Sequence, residues 1–233
     1  MTSKKTRNKT NPLRLCYNSD NMNPFHIEIG IDEAGRGPMF GRVYAAAVVL
    51  PKDDSFKHED MKDSKRFHSD KKINEVADYI KDKAIFWTVC HVDETVIDSI
   101  NIRQATLKAM HMCVKEIISK LNSQYQISLI LVDGNDFKPY MFFNNNTKSF
   151  EQLNHICIEG GDNEYTAIAA ASILAKVERD RYIKNICDEY PELKEKYQID
   201  KNKGYGTKYH LDGIKKHGIS PWHRKTYGLC RNY

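Results

Sequence analysis

The chain has 233 residues, 40% of them hydrophobic and 29% charged, with a formal net charge of +5. That length sustains one sizeable core, or one domain with an appended segment, and no apolar run approaches the ~20 residues of a membrane helix. The mild positive charge permits a polyanionic partner without requiring one.

Basic residues concentrate at Lys4, Lys5, Arg7 and Lys9 and again over residues 194–231, the candidate phosphate contacts. The polar stretch 1–24 closes on Asn23 and Pro24 and reads as a mobile basic extension. Six cysteines (Cys16, Cys90, Cys113, Cys157, Cys187 and Cys230) lie tens of residues apart without a Cys-x-x-Cys pair. With no signal peptide ahead of them they read as free thiols, which points to a reducing, cytoplasmic setting.

From His26, the isoleucines 27, 29 and 31 alternate with Glu28 and Gly30, the period of a strand. Residues 43–50 form a second strand, joined to the first as a hairpin. After a charged loop over 53–70, the pattern predicts a helix at 71–81, a strand at 84–92, and an amphipathic helix at 102–122 built on Leu107, Met110, Val114, Ile117 and Leu121. A fully apolar strand at 127–132 stops at Asp133 and Gly134, a fifth strand is expected at 153–158, and a long helix at 165–189 ends before Pro191. The remainder, rich in Gly, Lys, His and Tyr, is expected to form a short helix and loops. The expected fold is therefore α/β, a mixed sheet flanked by helices.

Carboxylates mark where chemistry could sit. Asp32 and Glu33 end the first strand beside the turn Gly35-Arg36-Gly37, and Asp133 ends another strand before a glycine. Side chains alternate on a strand, so Asp32 and Glu33 share a site only if the pleat ends between them, with Gly35 and Gly37 supplying the bend. Acids at the carboxyl ends of neighbouring strands converge on the crevice where open α/β sheets bind ligands. In the long helix Ser172, Lys176 and Asp180 recur every fourth residue as one polar stripe, which brings Asp180 toward the other acids, whereas Asp162, Glu164, Glu178 and Glu189 read as solvated charges. Such a concentration of negative charge calls for hard divalent cations, and these bind phosphates.

The glycine turn fits a dinucleotide fingerprint poorly, because a strand and not a helix follows it. It suits contact with a sugar-phosphate chain, Arg36 being a charged partner. Tyr205, between glycines and lysines, suits packing on a sugar or base. His210, His217 and His223 match no common zinc spacing and read as structural or phosphate-contacting.

Five motifs in order resemble those of ribonuclease HII: residues 30–38 (GIDEAGRGP), 63–65 (DSK), 132–135 (VDGN), 169–180 (AAASILAKVERD) and 203–207 (KGYGT), with a similar ending at 220–228 (SPWHRKTYG). The resemblance spans about residue 26 to residue 228. It implies a ribonuclease H-like catalytic domain over 25–190, completed by a small C-terminal helical segment over 191–233. It also implies an endonuclease that uses two Mg²⁺ or Mn²⁺ ions, cuts the RNA strand of RNA/DNA hybrids, and nicks duplex DNA 5′ of a single ribonucleotide. Asp32, Glu33, Asp133 and Asp180 match the family's metal-binding carboxylates. Gly35, Arg36 and Gly37 match its reader of the ribose 2′-hydroxyl, the group that separates RNA from DNA. Tyr205 matches the tyrosine that packs on the neighbouring sugar, and Lys65, Ser172 and Lys176 are expected to hold phosphates.

Departures exist. Gly160-Gly161-Asp162 stands where many relatives carry Lys-Gly-Asp, and no clear sliding-clamp motif follows Gly228. The chain is expected to act as a monomer on nucleic acid, away from membranes. The rival readings are a ribonuclease HIII-like or other nuclease of the superfamily, and a non-catalytic hybrid-binding protein.

Overall fold

The alternating isoleucines form the central strand of a five-stranded sheet in the computed structural model, which describes residues 12–17, 23–61, 64, 67, 69–144 and 147–233. This strand, β1 (His26–Ala34), pairs antiparallel with β2 (Val43–Val49) and parallel with β4 (Gln126–Asp133). With β3 (Phe86–Val92) and β7 (His155–Ile158) the order is β3-β2-β1-β4-β7. The wholly apolar β2 lies inside the sheet and is buried along its length, as a strand covered on both faces must be.

One face carries α2 (Glu94–Lys120), whose Leu107, Met110, Val114 and Ile117 pack on Ile27, Ile29 and Ile31. The other carries α1 (Asp70–Lys83) and α3 (Thr166–Glu189), whose alanines and Ile173 meet Ala46 and Val48. Beyond α3, the helices α4 (Glu192–Tyr197), α5 (Ile199–Asn202) and α6 (Lys208–His217) enclose a third apolar cluster of Phe40, Ile183, Leu193, Tyr197 and Ile214.

Four expectations change. Helix α2 starts at Glu94, capped by Asp93, and kinks at Asn101 (φ 65°), whose side chain accepts the Gln104 amide hydrogen. The apolar periodicity from residue 102 captured only the portion beyond that kink. The expected strand at 153–158 is split at Asn154: its first residue closes a two-stranded hairpin of β5 (Tyr140–Asn144) and β6 (Ser149–Leu153), and β7 joins the main sheet. Of the expected mobile extension, residues 12–17 are docked. The Arg14 amide donates to the Glu164 carbonyl at 2.7 Å, the Tyr17 amide donates to Glu28 Oε2 at 2.8 Å, and Cys16 is buried. The basic residues Lys4, Lys5, Arg7 and Lys9 lie outside the described residues. Finally, Asp162 is buried, not solvated, and accepts from Asn163 Nδ2 at 2.7 Å. All six cysteines are free thiols, and no described helix is long and apolar enough to cross a membrane.

The close seat of α3 on β1 rests on Gly30. A Cβ at that position would stand 2.2 Å from the Ala167 carbonyl carbon, well inside contact distance. Gly30→Ala is expected to destabilise the fold by roughly 3 kcal/mol, measured by urea unfolding, because α3 must lift from the sheet to admit one methyl group.

Candidate active site

Strand parity decides which acids meet. Ile27, Ile29 and Ile31 face α2, and Gly30 faces α3, so Asp32 faces α3 and Glu33 the opposite side. The pleat does not end between them as the sequence suggested: Asp32 pairs with Ala46, Glu33 with Ala45 and Ala34 with Tyr44, and the bend comes only at Gly35 (φ 94°). On β4, Leu131 packs against Ile168 of α3, so Asp133, two residues on, shares Asp32's face. The acids thus gather at the strand ends, where Glu33 and Asp133 line a small cavity and Asp32 is buried.

Asp32 is buried, and its Oδ1 accepts the Glu33 amide hydrogen at 2.6 Å. Burial, and then the charges of Glu33 and Asp133, hold its carboxyl well above the usual carboxylate range, against a hydrogen bond from Ser172. Ser172 Oγ is itself 3.1 Å from Ser64 Oγ. Burial also raises Glu33, which Arg36 Nη1 opposes from 3.2 Å.

Asp180 follows Ser172 and Lys176 on α3. Lys176 Nζ donates to its Oδ2, and its buried Oδ1 has no hydrogen-bond partner among the described residues, Arg179 Nη1 standing 3.8 Å away. The structure therefore brings Asp32, Glu33 and Asp133 into mutual repulsion and holds Asp180 against Lys176. Among the described residues no group of three or more acids, histidines or cysteines stands at ion-ligating spacing. The donor chemistry nonetheless fits a hard divalent ion: every candidate ligand is a carboxylate oxygen, burial first and neighbouring acids second raise the carboxyls of Asp32 and Glu33, and Asp180 Oδ1 lacks a donor among the described residues.

The turn adjoins this site. At Gly35 a Cβ would meet Arg179 Nε at 2.5 Å, and at Gly37 it would stand 3.3 Å from the Tyr205 ring, so the turn and the lysine-flanked tyrosine form one surface. Tyr205 is 51% exposed, with the Arg179 guanidinium 6.0 Å from its ring centre. Arg179 in turn donates to the Lys203 carbonyl at 2.6 Å. Lys176 lines a cavity of about 610 Å³ shared with Arg181, Lys184, Lys194 and Lys203, next to Asp180. Lys65 lies outside the described residues.

Sequence reasoning missed the two buried arginines. Arg224, counted among the candidate phosphate contacts, is fully buried and donates to the carbonyls of Gly35, Arg36, Pro38 and Gly41. Arg179 sat unremarked in the long helix. A lone arginine among surface cations carries no signal of burial. His210 and His223 are likewise buried and bonded to each other, which selects the structural reading for them, whereas His217 is exposed.

Among solved structures, the chain superposes on ribonuclease H2 from Pyrococcus horikoshii with a TM-score of 0.67 and 23% identity, over 88% of this chain and 96% of that one. It superposes on Bst ribonuclease HIII, solved in complex with Mn²⁺, with a TM-score of 0.59 and 16% identity, over 83% and 63%. The fold is that of the type 2 ribonucleases H. A sequence model of ribonuclease HII matches residues 29–230, and ribonuclease HII of Parabacteroides distasonis is 43% identical over 203 residues, 87% of this chain and 90% of that protein. The chain belongs to the ribonuclease HII family and is an endoribonuclease of that type.

The raised Asp32 carboxyl has a thermodynamic consequence. The folded state holds a proton that the unfolded chain releases near pH 3.8, so stability falls as pH rises from there through the higher folded value. Above that window the folded protein carries a buried, repelled charge. Asp32→Asn is expected to raise the melting temperature at pH 8 in chelator, by about 2–4 °C for each 1 kcal/mol relieved, and to leave it little changed near pH 4.

Proposed function

We propose that this enzyme hydrolyses the RNA strand of RNA/DNA hybrids and nicks duplex DNA on the 5′ side of a single embedded ribonucleotide, leaving 5′-phosphate and 3′-hydroxyl ends. The observation that carries the reading is the juxtaposition of the Gly35–Gly37 turn, the Tyr205 ring and the acids Asp32 and Asp133 at one end of the sheet. A group that recognises ribose and a group that acts on the adjoining phosphate must lie within one nucleotide of each other. The fold achieves this because Gly35 follows the acid pair by two residues.

Asp32, Glu33, Asp133 and Asp180 would hold Mg²⁺ or Mn²⁺. Divalent ions bound there would lower the pKa of a water for in-line attack and stabilise the departing 3′-oxygen. The chain's own residues do the remaining work. Ser172 orients Asp32 through its hydrogen bond. Lys176 neutralises Asp180 and presents a cation to the phosphate track formed with Arg181, Lys184, Lys194 and Lys203. The turn offers backbone amides to the 2′-hydroxyl and the next phosphate, and the exposed Tyr205 ring packs on a sugar. In this reading the segment 191–233 completes the substrate surface and does not fold apart from it.

A labelled duplex with one ribonucleotide tests the proposal: a cut on its 5′ side with Mg²⁺ or Mn²⁺, lost in chelator, is the expected result, and metal-independent binding without cleavage would refute it. Asp133→Asn is expected to lower cleavage by about 10³-fold or more while hybrid affinity stays within about threefold. Lys184→Ala should reduce the slope of log affinity against log salt by roughly 0.9, the share of one phosphate contact, as read by anisotropy titrations at several salt concentrations.

A further inference from the structure

The C-terminal segment Ser220, His223, Arg224 and Tyr227 supplies none of the acids, yet it reaches both halves of the surface just described. Arg224 Nε donates to the Gly41 carbonyl at 2.8 Å, Nη1 to those of Arg36 (3.0 Å) and Pro38 (2.8 Å), and Nη2 to that of Gly35 (2.6 Å). No carboxylate forms an ion pair with it among the described residues. A fully buried guanidinium therefore has its charge met by four peptide dipoles, which is tolerable only because its planar fork reaches all of them at once.

Those bonds orient the turn. In a trans peptide the carbonyl and the following amide point in opposite directions. With the Gly35 and Arg36 carbonyls drawn inward to Arg224, the amides of Arg36 and Gly37 point away from it, and neither has a hydrogen-bond partner among the described residues. Tyr227 adds a second donor, its hydroxyl to the Arg36 carbonyl at 3.0 Å.

The preceding residue acts on the other half. The Ser220 amide donates to His223 Nδ1 at 2.9 Å, so that nitrogen carries no proton. His223 Nε2–H then donates to His210 Nε2 at 2.9 Å, which leaves the His210 proton on Nδ1, donated to the Tyr205 carbonyl at 2.9 Å. All four ring nitrogens are used by one consistent pair of neutral tautomers, and the chain ends on the backbone of the exposed tyrosine. Two backbone bonds tie the halves together: the Arg224 amide to the Met39 carbonyl at 2.8 Å, and the Met39 amide to the Gly204 carbonyl at 2.9 Å. Asp98 anchors the segment by accepting from the Lys225 and Thr226 amides.

We propose that His223 and Arg224 are positioning residues for ribonucleotide recognition: Arg224 aims the turn's amides at the 2′-hydroxyl, and the His223–His210 pair sets the Tyr205 ring against the neighbouring sugar. This rests on the reading of the turn and Tyr205 as the ribose-recognising surface. The selectivity of the enzyme is then set by a segment that does not touch the substrate, and a lysine at position 224, which keeps the charge but loses the fork, does not replace the arginine.

The experiment is done in the Asp133→Asn background, where binding is read without cleavage. Affinities for a duplex with one ribonucleotide and for the all-DNA duplex of the same sequence are measured by fluorescence anisotropy, alongside melting temperature. Adding Arg224→Lys is expected to reduce the ratio of the two affinities about tenfold while all-DNA binding changes by less than about twofold. Tyr227→Phe, which removes one donor from the Arg36 carbonyl and leaves the core intact, is expected to reduce the ratio about threefold. A folded Arg224→Lys protein with an unchanged ratio, or one weakened equally on both duplexes, overturns the inference. If Arg224→Lys does not fold, Tyr227→Phe decides: a lowered ratio supports the proposal and an unchanged one overturns it. A parent protein that itself binds both duplexes alike shows instead that the ribose reading is wrong, and the inference falls with it.

Discussion

The approach of α3 to β1 is the constraint on which the rest depends. At Gly30 the helix backbone lies where any side chain would sit, and the buried alanines that follow Ala167 keep that separation along the next turns. Because α3 is pressed onto the sheet there, its polar stripe arrives at the end of β1 with Ser172 beside Asp32 and Asp180 beyond it. A helix held a few ångströms higher would leave Asp32 under solvent and Asp180 out of reach. Packing of the smallest residues therefore sets the spacing of the most highly charged ones.

That arrangement works against stability. Asp32 is desolvated and repelled by Glu33 and Asp133, with one serine hydroxyl and one amide in compensation. Folding energy from the apolar clusters holds these acids together, and Lys176 offsets the charge on Asp180. Such opposition between local electrostatics and global packing is characteristic of sites built for a charged ligand. The acids also differ in access: Glu33 and Asp133 line a small cavity with Arg36 and Arg103, while Asp32 is buried behind them.

The basic residues divide by burial into two kinds. Arg181, Lys184 and Lys194 line an open cavity, Arg181 paired with Glu178 and Lys194 with Asp188. Arg179 and Arg224 are inside, where Arg179 Nη2 donates to the Lys203 carbonyl and Arg224 donates to the carbonyls of the glycine turn. Positive charge is thus solvent-facing in one place and part of the interior in another. The C-terminal helices, which read as an appendage, are joined through these arginines and the His210–His223 pair to the first strand and its turn.

The sequence by itself determined the strands and helices with strong periodicity and singled out the four acids, the glycine turn and Tyr205 as candidates, because side-chain alternation, helical spacing and turn chemistry are local properties of the chain. The start of α2 was illegible because a left-handed Asn101 breaks its register, and the hairpin before β7 because Met141, Phe143 and Phe150 on its exposed face are as apolar as Tyr140 and Phe142 on its inner one, so no alternation shows in the sequence. The faces taken by Asp32 and Glu33 were misjudged, since the end of a pleat depends on how far the neighbouring strand continues to pair. Only the tertiary structure decided that Arg224 is a buried support and not a phosphate contact, and that His223 reaches Tyr205 through His210. Those assignments depend on atoms far apart in the chain meeting in a water-free interior, where a donor must find an acceptor, and no local pattern encodes which one it finds.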